Sequence, residues 1–313
     1  MSEGRPVRIA VIGVGALGRH HARLLAALPG AQLVAVVDTD RGRAEEVAKA
    51  AGCQALVSVA DLPAALDAVS VAVPTEAHAE LAVPFLDRGV AVLVEKPIAR
   101  TLAEADAMIA AAERSGALLA TGHTERFNPA VAAVLGRVER PRFVEVHRLG
   151  TFPDRSLDID VVFDLMIHDL DLLLATVGEA VVSVEAVGVP VLTGRVDIAN
   201  ARLTFGSGCI ANLTASRISR ERIRKLRFFQ PHSYLSVDCA SQEAEAYRLV
   251  AGEDGRPRID GGKLDVQKDE PLRLELQDFV EAVRTGGRPR VTGADGRRAL
   301  ALATQIVDRM AQS

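Results

Sequence analysis

The 313-residue chain has no tryptophan, two tyrosines and three cysteines. Cys53, Cys209 and Cys239 lie far apart and form no C-x-x-C pair, which argues against a disulfide framework or a zinc site and for a reducing, cytoplasmic compartment. An excess of positive charge is also missing: 37 Lys plus Arg against 41 Asp plus Glu leave a formal charge of -4, without the basic footprint of a nucleic-acid binder. Long apolar runs are absent too. The run Ile9 to Val14 is too short for a secretory or membrane-spanning segment and leads straight into glycines. Neither nucleic acid nor membrane is expected as a partner.

What is present is an ordinary globular composition, 49% apolar and 25% charged, on a chain long enough to divide into two domains. In the first half, Val7 to Ile12, Gln32 to Val37, Ala68 to Val73 and Ala91 to Val94 are nearly all apolar, as strands covered on both faces must be. Between them, His20 to Leu28, Ala44 to Ala51 and Ala77 to Asp87 are Ala- and Leu-rich and of helical length. The alternation predicts a doubly wound α/β domain with a parallel sheet over residues 1–122.

Gly13-x-Gly15-x-x-Gly18 falls directly after the first strand and at the head of a helix. The first glycine permits the tight turn, the second lets backbone approach a pyrophosphate, and the third allows close helix-to-strand packing. Gly13, Gly15, Ala16, Leu17 and Gly18 are therefore candidate dinucleotide contacts. Twenty residues past Gly18 stands Asp38, whose carboxylate suits the adenosine ribose hydroxyls and repels a 2′-phosphate. NAD is thus expected over NADP, with Thr39 beside it; Arg41 would weaken that preference. His20 and His21, on the first helix, are read as packing or hydrogen-bonding residues. The stretch Val92 to Pro97 ends an apolar strand in Glu95-Lys96-Pro97, which places Lys96 at a strand's carboxyl end, where ligands of open α/β sheets bind.

From His123 the pattern changes, and 123–313 reads as a second, α+β domain with an open, mostly antiparallel sheet. Strand-like runs occur at Phe143 to Arg148, Val181 to Val189, Asp197 to Phe205, Cys209 to Ala215, Arg224 to Phe229 and Tyr234 to Asp238. Thr151 to Asp160 and Gly252 to Gln267, rich in Asp, Gly and Pro, read as flexible loops. Asp164 to Leu174 reads as a helix on which Asp164 and His168 share one face, so that a carboxylate can orient an imidazole acting as general base. Asp171 permits a metal reading, but no further ligand stands at a diagnostic spacing, and no metal is expected. Arg217 to Arg227 carries six cations and one anion, either a solvated strand edge or a diphosphate contact.

Gly13-x-Gly15-x-x-Gly18, Asp38, Pro74-Thr75-x-x-His78, Glu95-Lys96-Pro97 and Asp164-x-x-x-His168, in that order, resemble the glucose-fructose oxidoreductase, inositol dehydrogenase and rhizopine catabolism (Gfo/Idh/MocA) family. The resemblance runs on through Phe279-Val280-Glu281-Ala282, Gly287-x-Pro289 and Gly293-x-Asp295-Gly296. It implies an NAD-binding Rossmann domain and a second domain for substrate and oligomerisation. It also implies a last helix, about 294–311, packed near the Rossmann domain, and a homodimer or homotetramer. Lys96, Asp164 and His168 take the catalytic positions; Pro74, Thr75, His78, Glu95 and Lys96 join the cofactor contacts. Where many members have glycines ahead of the Asp, this chain has Val161-Val162-Phe163.

At the finer level, the stretches from Gly122 to Pro129 and from Ile167 to Leu172 resemble the branch that oxidises the 3-hydroxyl of a UDP-sugar with NAD, ahead of an aminotransferase. Substrate contacts would then be Lys96, Arg126, Asn128, His168, Arg222 and Arg224. The alternatives are an inositol or other unactivated polyol dehydrogenase, which has no use for the cationic run, and a non-catalytic, dinucleotide-responsive regulator.

Overall fold

The computed structural model describes residues 5–152, 159–252 and 256–312. The chain forms two compact units, Met1–His123 with Leu272–Arg297, and Thr124–Pro271 with Arg298–Ser313.

The first unit alternates strand and helix: β1 (Val7–Ile12), α1 (Gly18–Ala27), β2 (Ala31–Val37), α2 (Arg41–Ala51), β3 (Gln54–Leu56), β4 (Ala68–Val71), α3 (His78–Asp87), β5 (Ala91–Glu95), α4 (Leu102–Ser115) and β6 (Leu119–Gly122). Its sheet is wholly parallel in the order β3-β2-β1-β4-β5-β6. The order reverses direction between β1 and β4, and it is outside the carboxyl ends of strands at such a point that open α/β sheets bind ligands. Helix α4 starts at a capping box, Thr101 with Glu104, and stops at Gly116 in the left-handed region.

The expected boundary after residue 122 omits one segment of this unit. Helix α7 (Pro271–Thr285) buries Leu276, Phe279 and Val280 in the same core as Val7, Ile9, Leu25 and Leu93. The start of α8 (Gly293–Met310) follows an antiparallel bridge from Thr292 to Ala120 on β6. The apolar face of α7 has its burial partners here, which is why 272–297 belongs to the first unit.

The second unit contains α5 (Pro129–Leu135), β7 (Phe143–Leu149), α6 (Ile167–Val177) and the strands β8 (Val181–Val189), β9 (Ile198–Phe205), β10 (Ile210–Ser216), β11 (Ile223–Gln230), β12 (Ser233–Asp238), β13 (Glu243–Ala251) and β14 (Pro257–Lys263). The eight strands run in the order β14-β13-β12-β11-β7-β10-β9-β8, antiparallel except for the β7 and β10 pair. Val144, Val146, Ala211, Leu213, Leu226 and Phe228 point to one face and are buried with Ile167 and Leu170 of α6 and with Ala303 and Ile306 of α8. Two of the expectations above need correction. The cationic run is not at a sheet edge, because β11 lies between β7 and β12. Gly252 to Gln267 is not all loop, because its middle pairs with β13 as the outermost strand, β14; residues 253–255 and, within Thr151 to Asp160, residues 153–158 lie outside the described residues.

Asp197 ties down the chain between β8 and β9. Its carboxylate accepts from the N–H groups of Val191 (2.8 Å), Leu192 (2.6 Å) and Thr193 (2.9 Å), from the Thr193 hydroxyl (2.8 Å) and from Arg217 Nε (2.9 Å). Burial alone would raise this carboxyl, but the donors from Leu192, Thr193 and Val191 outweigh burial and hold it well below its ordinary value. Asp197→Ala takes the carboxylate from the buried Arg217 guanidinium, which still donates to the carbonyls of Ile159 and Val196, and is expected to cost about 3–5 kcal/mol, a fall in melting temperature on the order of 10 °C. Because the folded value is depressed, the stabilisation is complete above the unfolded carboxylate range and fades as pH falls toward the folded value. Thermal melts at neutral and acid pH check both points: the gap between wild type and variant narrows in acid.

Candidate functional site

In the first unit every candidate lies at the carboxyl ends of strands. β1 ends at Ile12, and Gly13 follows with φ +83°; a Cβ there would sit 2.7 Å from both Ala72 O and Val73 Cγ1, the residues just after β4. A Cβ on Gly18 would overlap the carbonyl of Gly13. Both glycines are thus demanded by the turn that folds the loop back onto the first strand. Gly15 by contrast has open space beside it, the room a pyrophosphate needs against bare backbone. Ala16 and Leu17 are exposed, and no side chain caps the N-terminus of α1, so its dipole and leading N–H groups suit an anion. These features fit a bound dinucleotide.

Asp38, at the end of β2, is buried and oriented by the loop: Oδ2 accepts from Val14 N–H at 2.9 Å and Oδ1 from Asp40 N–H at 2.9 Å. The cation beside it is Arg43, whose Nη1 lies 3.3 Å from each carboxylate oxygen. Arg41 is exposed and reaches toward Glu45 at 3.8 Å instead. The separation follows from helix geometry: Asp40 caps α2 by accepting from Arg43 N–H, which sets Arg43 in the first turn back toward Asp38. Thr39 is exposed next to them.

Pro74 and Thr75 follow β4, with Thr75 opening the 3₁₀ turn Thr75–Ala77. His78 turns inward. Its Nδ1 lies 3.0 Å from Pro97 O and 3.2 Å from Ile98 O, and its Nε2 lies 3.0 Å from Val73 O. Burial lowers this imidazole from its ordinary value against the pull of those carbonyls. His78 therefore braces the two loops that follow β4 and β5, and its ring nitrogens are engaged by protein rather than offered to a cofactor. Glu95 is likewise interior. Its Oε1 lies 2.9 Å from His21 Nε2, its Oε2 accepts from Lys96 N–H at 3.2 Å, and His21 Nδ1 lies 2.8 Å from Ser70 Oγ. Burial alone would raise the Glu95 carboxyl; His21 and the charge of Lys96 hold it below its ordinary value. Lys96, half-buried, follows β5 and precedes Pro97 across a cis peptide bond.

In the second unit, Asp164 lies in a π-helical turn, Val162–Met166, that leads into α6, and His168 is the second residue of α6. Such turns are rare and frequent at functional sites. At roughly 4.4 residues per turn, as i→i+5 bonding implies, a four-residue separation still falls short of a full turn by only about 30°, so both side chains share a face. Both are half-buried. The apolar Val161-Val162-Phe163, standing where the family often has glycines, forms the entry to this turn, with Val161 and Val162 in the core.

The two carboxylates that follow His168 are each held by an arginine. Asp169 takes a fork from Arg148, Nε to Oδ2 and Nη2 to Oδ1 at 2.8 Å each, while Arg148 Nη1 reaches Glu125 Oε1 at 3.0 Å. Asp171 takes Arg126 Nε at 2.8 Å, so the residue that permitted a metal reading is one half of a buried ion pair. Burial works against the Arg148 charge, but Asp169 and Glu125 raise the guanidinium above its ordinary value; burial raises the Asp169 carboxyl, and Arg148 offsets only part of this. Arg148 had a sequence signal: it occupies the core-facing register of β7 with Val144 and Val146, where a charge requires a partner.

Several proposed substrate contacts have other partners. Asn128 is buried as the N-cap of α5: Oδ1 accepts from Ala130 N–H at 3.0 Å, and Nδ2 donates to Cys239 O at 2.9 Å and Glu125 Oε2 at 3.2 Å. Its polar atoms are consumed by structure. In the cationic run, Arg217 is buried on Asp197, Lys225 lies 3.7 Å from Asp238, and Arg227 lies 2.8 Å from Glu145. Arg224 is exposed and 3.8 Å from Glu125, and Arg222 is exposed ahead of β11.

Comparison with known proteins places these features in one context. Residues 7–123 match the model of an oxidoreductase family with an NAD-binding Rossmann fold, and residues 131–229 match the GFO/IDH/MocA C-terminal domain. The chain is 42% identical to UDP-N-acetylglucosamine 3-dehydrogenase of Acidithiobacillus ferrooxidans, over 96% of each chain. A solved structure of that enzyme superposes with a TM-score of 0.92 at 41% identity, covering 98% of each chain. The scyllo-inositol 2-dehydrogenase (NAD(+)) of Bacillus subtilis is 29% identical over 92% of this chain and 90% of its own. The glycine loop and buried acid after β2, with a lysine after β5, accordingly have a family to match: the chain belongs to the Gfo/Idh/MocA oxidoreductases and binds NAD through its first unit.

Proposed function

We propose that the protein oxidises the 3-hydroxyl of UDP-N-acetylglucosamine with NAD, giving a 3-keto sugar for an aminotransferase to consume. The observation that carries this reading is the 42% identity to an enzyme of that name over nearly the full length of both chains. The retention of Lys96, Asp164 and His168 supports it. NAD, when bound, supplies the hydride acceptor. His168 takes the hydroxyl proton, Asp164 on the same helical face orients the imidazole, and the Lys96 ammonium hydrogen-bonds the same oxygen and stabilises the developing alkoxide. Asp38, held by Val14 N–H, receives the adenosine ribose. Arg222 and Arg224, both exposed, are the cations of the run read as meeting the diphosphate.

The test is reduced-nicotinamide absorbance with purified protein, NAD and UDP-N-acetylglucosamine, with a partner aminotransferase drawing off the keto sugar. Reduction is expected with this sugar. Reduction with scyllo- or myo-inositol and none with the nucleotide sugar would move the assignment to the polyol branch, to which the inositol-dehydrogenase relatives belong.

Two further parts of the reading concern setting and assembly. Cys53, Cys209 and Cys239 are free thiols, in keeping with a reducing cytoplasm, and among the described residues no helix is long and apolar enough to cross a membrane. The face of the eight-stranded sheet opposite α6 carries a row of rings, Phe143, Phe229, Tyr234 and Tyr247, with neighbouring centroids 5.2–6.2 Å apart. Such a row suits the homodimer or homotetramer interface implied by the family.

A further inference from the structure

We propose that His21 is a positioning residue for Lys96, acting through the carboxylate of Glu95. The inference rests on the reading of Lys96 as catalytic. It arises from a line of contacts that crosses the first unit from helix to strand end: Ser70 Oγ to His21 Nδ1 (2.8 Å), His21 Nε2 to Glu95 Oε1 (2.9 Å), and Lys96 N–H to Glu95 Oε2 (3.2 Å). Ser70, His21 and Glu95 are 0%, 1% and 7% exposed, so water does not share these bonds. Space for the carboxylate is left by Gly122 on β6, where a Cβ would stand 3.1 Å from Glu95 Cδ and 3.2 Å from both oxygens.

The chemistry of the line fixes its polarity. An ionised carboxylate only accepts, so the hydrogen of the His21 and Glu95 contact resides on Nε2. With one oxygen of Glu95 held by His21, the other is held where it receives Lys96 N–H, and the direction in which the chain leaves β5 is set from α1. That helix begins at Gly18, three residues before His21. The same rigid element therefore seats the dinucleotide loop and aims the lysine, and His21 keeps the two in register without touching substrate.

The test separates the two nitrogens of the ring. A glutamine at position 21 puts its amide donor near the place of Nε2, whereas an asparagine puts it near Nδ1 and leaves Glu95 unserved. With NAD and UDP-N-acetylglucosamine, His21→Asn is expected to lower kcat by about 10- to 30-fold, with KM for the sugar and Kd for NADH, read by nicotinamide fluorescence, within about threefold of wild type; these are the sizes expected when a catalytic group is misplaced by an ångström or less. His21→Gln recovers most of that loss. Histidine ¹⁵N NMR gives a readout without turnover: the Nε2-bound hydrogen of His21 is seen in wild type and exchanges faster in Glu95→Ala. Should His21→Asn not fold, Glu95→Ala carries the kinetic comparison, with the same kcat loss at unchanged KM expected. Equal kcat in the Asn and Gln variants, a loss confined to KM or to NADH affinity, or an unaffected kcat in Glu95→Ala overturns the proposal. Lys96→Met serves as the control, because full turnover there overturns the reading of Lys96 itself, whereas an inactive Lys96→Met beside an active His21→Asn overturns only the role of His21.

Discussion

His168→Ala is expected to lower kcat by about 10²- to 10⁴-fold, the span associated with loss of a positioned general base, while NADH still binds to the first unit with wild-type affinity. The argument runs from position to proton. His168 is the second residue of α6, half-buried and on the face shared with Asp164. An alcohol gives up hydride readily only as its proton leaves, and a positioned imidazole is the group that takes it. Without it the proton must pass to hydroxide, so the residual rate of the variant climbs with pH where the wild-type rate levels off. Steady-state kinetics across the pH range, with NADH fluorescence titration alongside, checks both parts. A variant with wild-type kcat and a wild-type pH profile would remove His168 from the mechanism.

A second large effect, on stability, is expected from Arg148→Met. Arg148 makes three charge-assisted contacts, two to Asp169 and one to Glu125, with both carboxylate side chains about 90% buried or more. Methionine fills part of the volume but leaves Asp169 without its forked partner and Glu125 with only the more distant Arg224, 3.8 Å away, as a neighbouring cation, and breaking a buried pair in this way costs about 3–5 kcal/mol. The loss is read by urea unfolding. Its pH dependence runs in the same direction as that of the Asp197 substitution, for a different reason. The Asp169 carboxyl is already raised in the native protein, because burial outweighs Arg148. A group raised on folding contributes favourably below its unfolded value and loses that contribution as pH rises through the folded one. The deficit of Arg148→Met is therefore largest near neutrality and shrinks toward pH 4. Arg148→Met combined with Asp169→Asn removes one of the stranded charges and recovers part of the stability at pH 7. A deficit that did not change with pH would mean that packing, not charge, is what Arg148 supplies.

The legibility of these features from sequence followed the range of the forces that make them. β1, β2, β4 and β5 are covered on both faces, so their apolar runs are continuous and readable without knowledge of neighbours. The glycine loop and Asp38 are local geometry, and local geometry is written in residue type. β13 and β14 gave no such signal: all but one residue of Glu243–Ala251 are half-buried or exposed, and Pro257–Lys263, at the sheet edge, is largely exposed. Such strands are held by backbone pairing with little hydrophobic burial. Asn128 carried a plain local meaning, an N-cap ahead of a proline at the first helical position, which the resemblance to a substrate-contacting segment obscured. The choice between Arg41 and Arg43 turned on which side of one helical turn faces Asp38. The pairings of Arg148, His21 and Arg217 join residues 20 or more positions apart; the core-facing register of Arg148 was visible, but the partners of all three were not.

The insertion of Leu276, Phe279 and Val280 among Val7, Ile9 and Leu93 also bears on the order of events during synthesis. The ribosome delivers β1 to β6 first, yet the core of that unit lacks one wall until α7, some 150 residues later, has emerged. The nascent N-terminal half therefore waits with an apolar flank uncovered while the entire second sheet is made, and its last stabilising contacts are formed only when synthesis is nearly complete. A chain halted between the two segments would present that flank to chaperones or to other nascent chains, so C-terminal truncation near residue 270 is an injury to the cofactor domain as much as to the end of the protein.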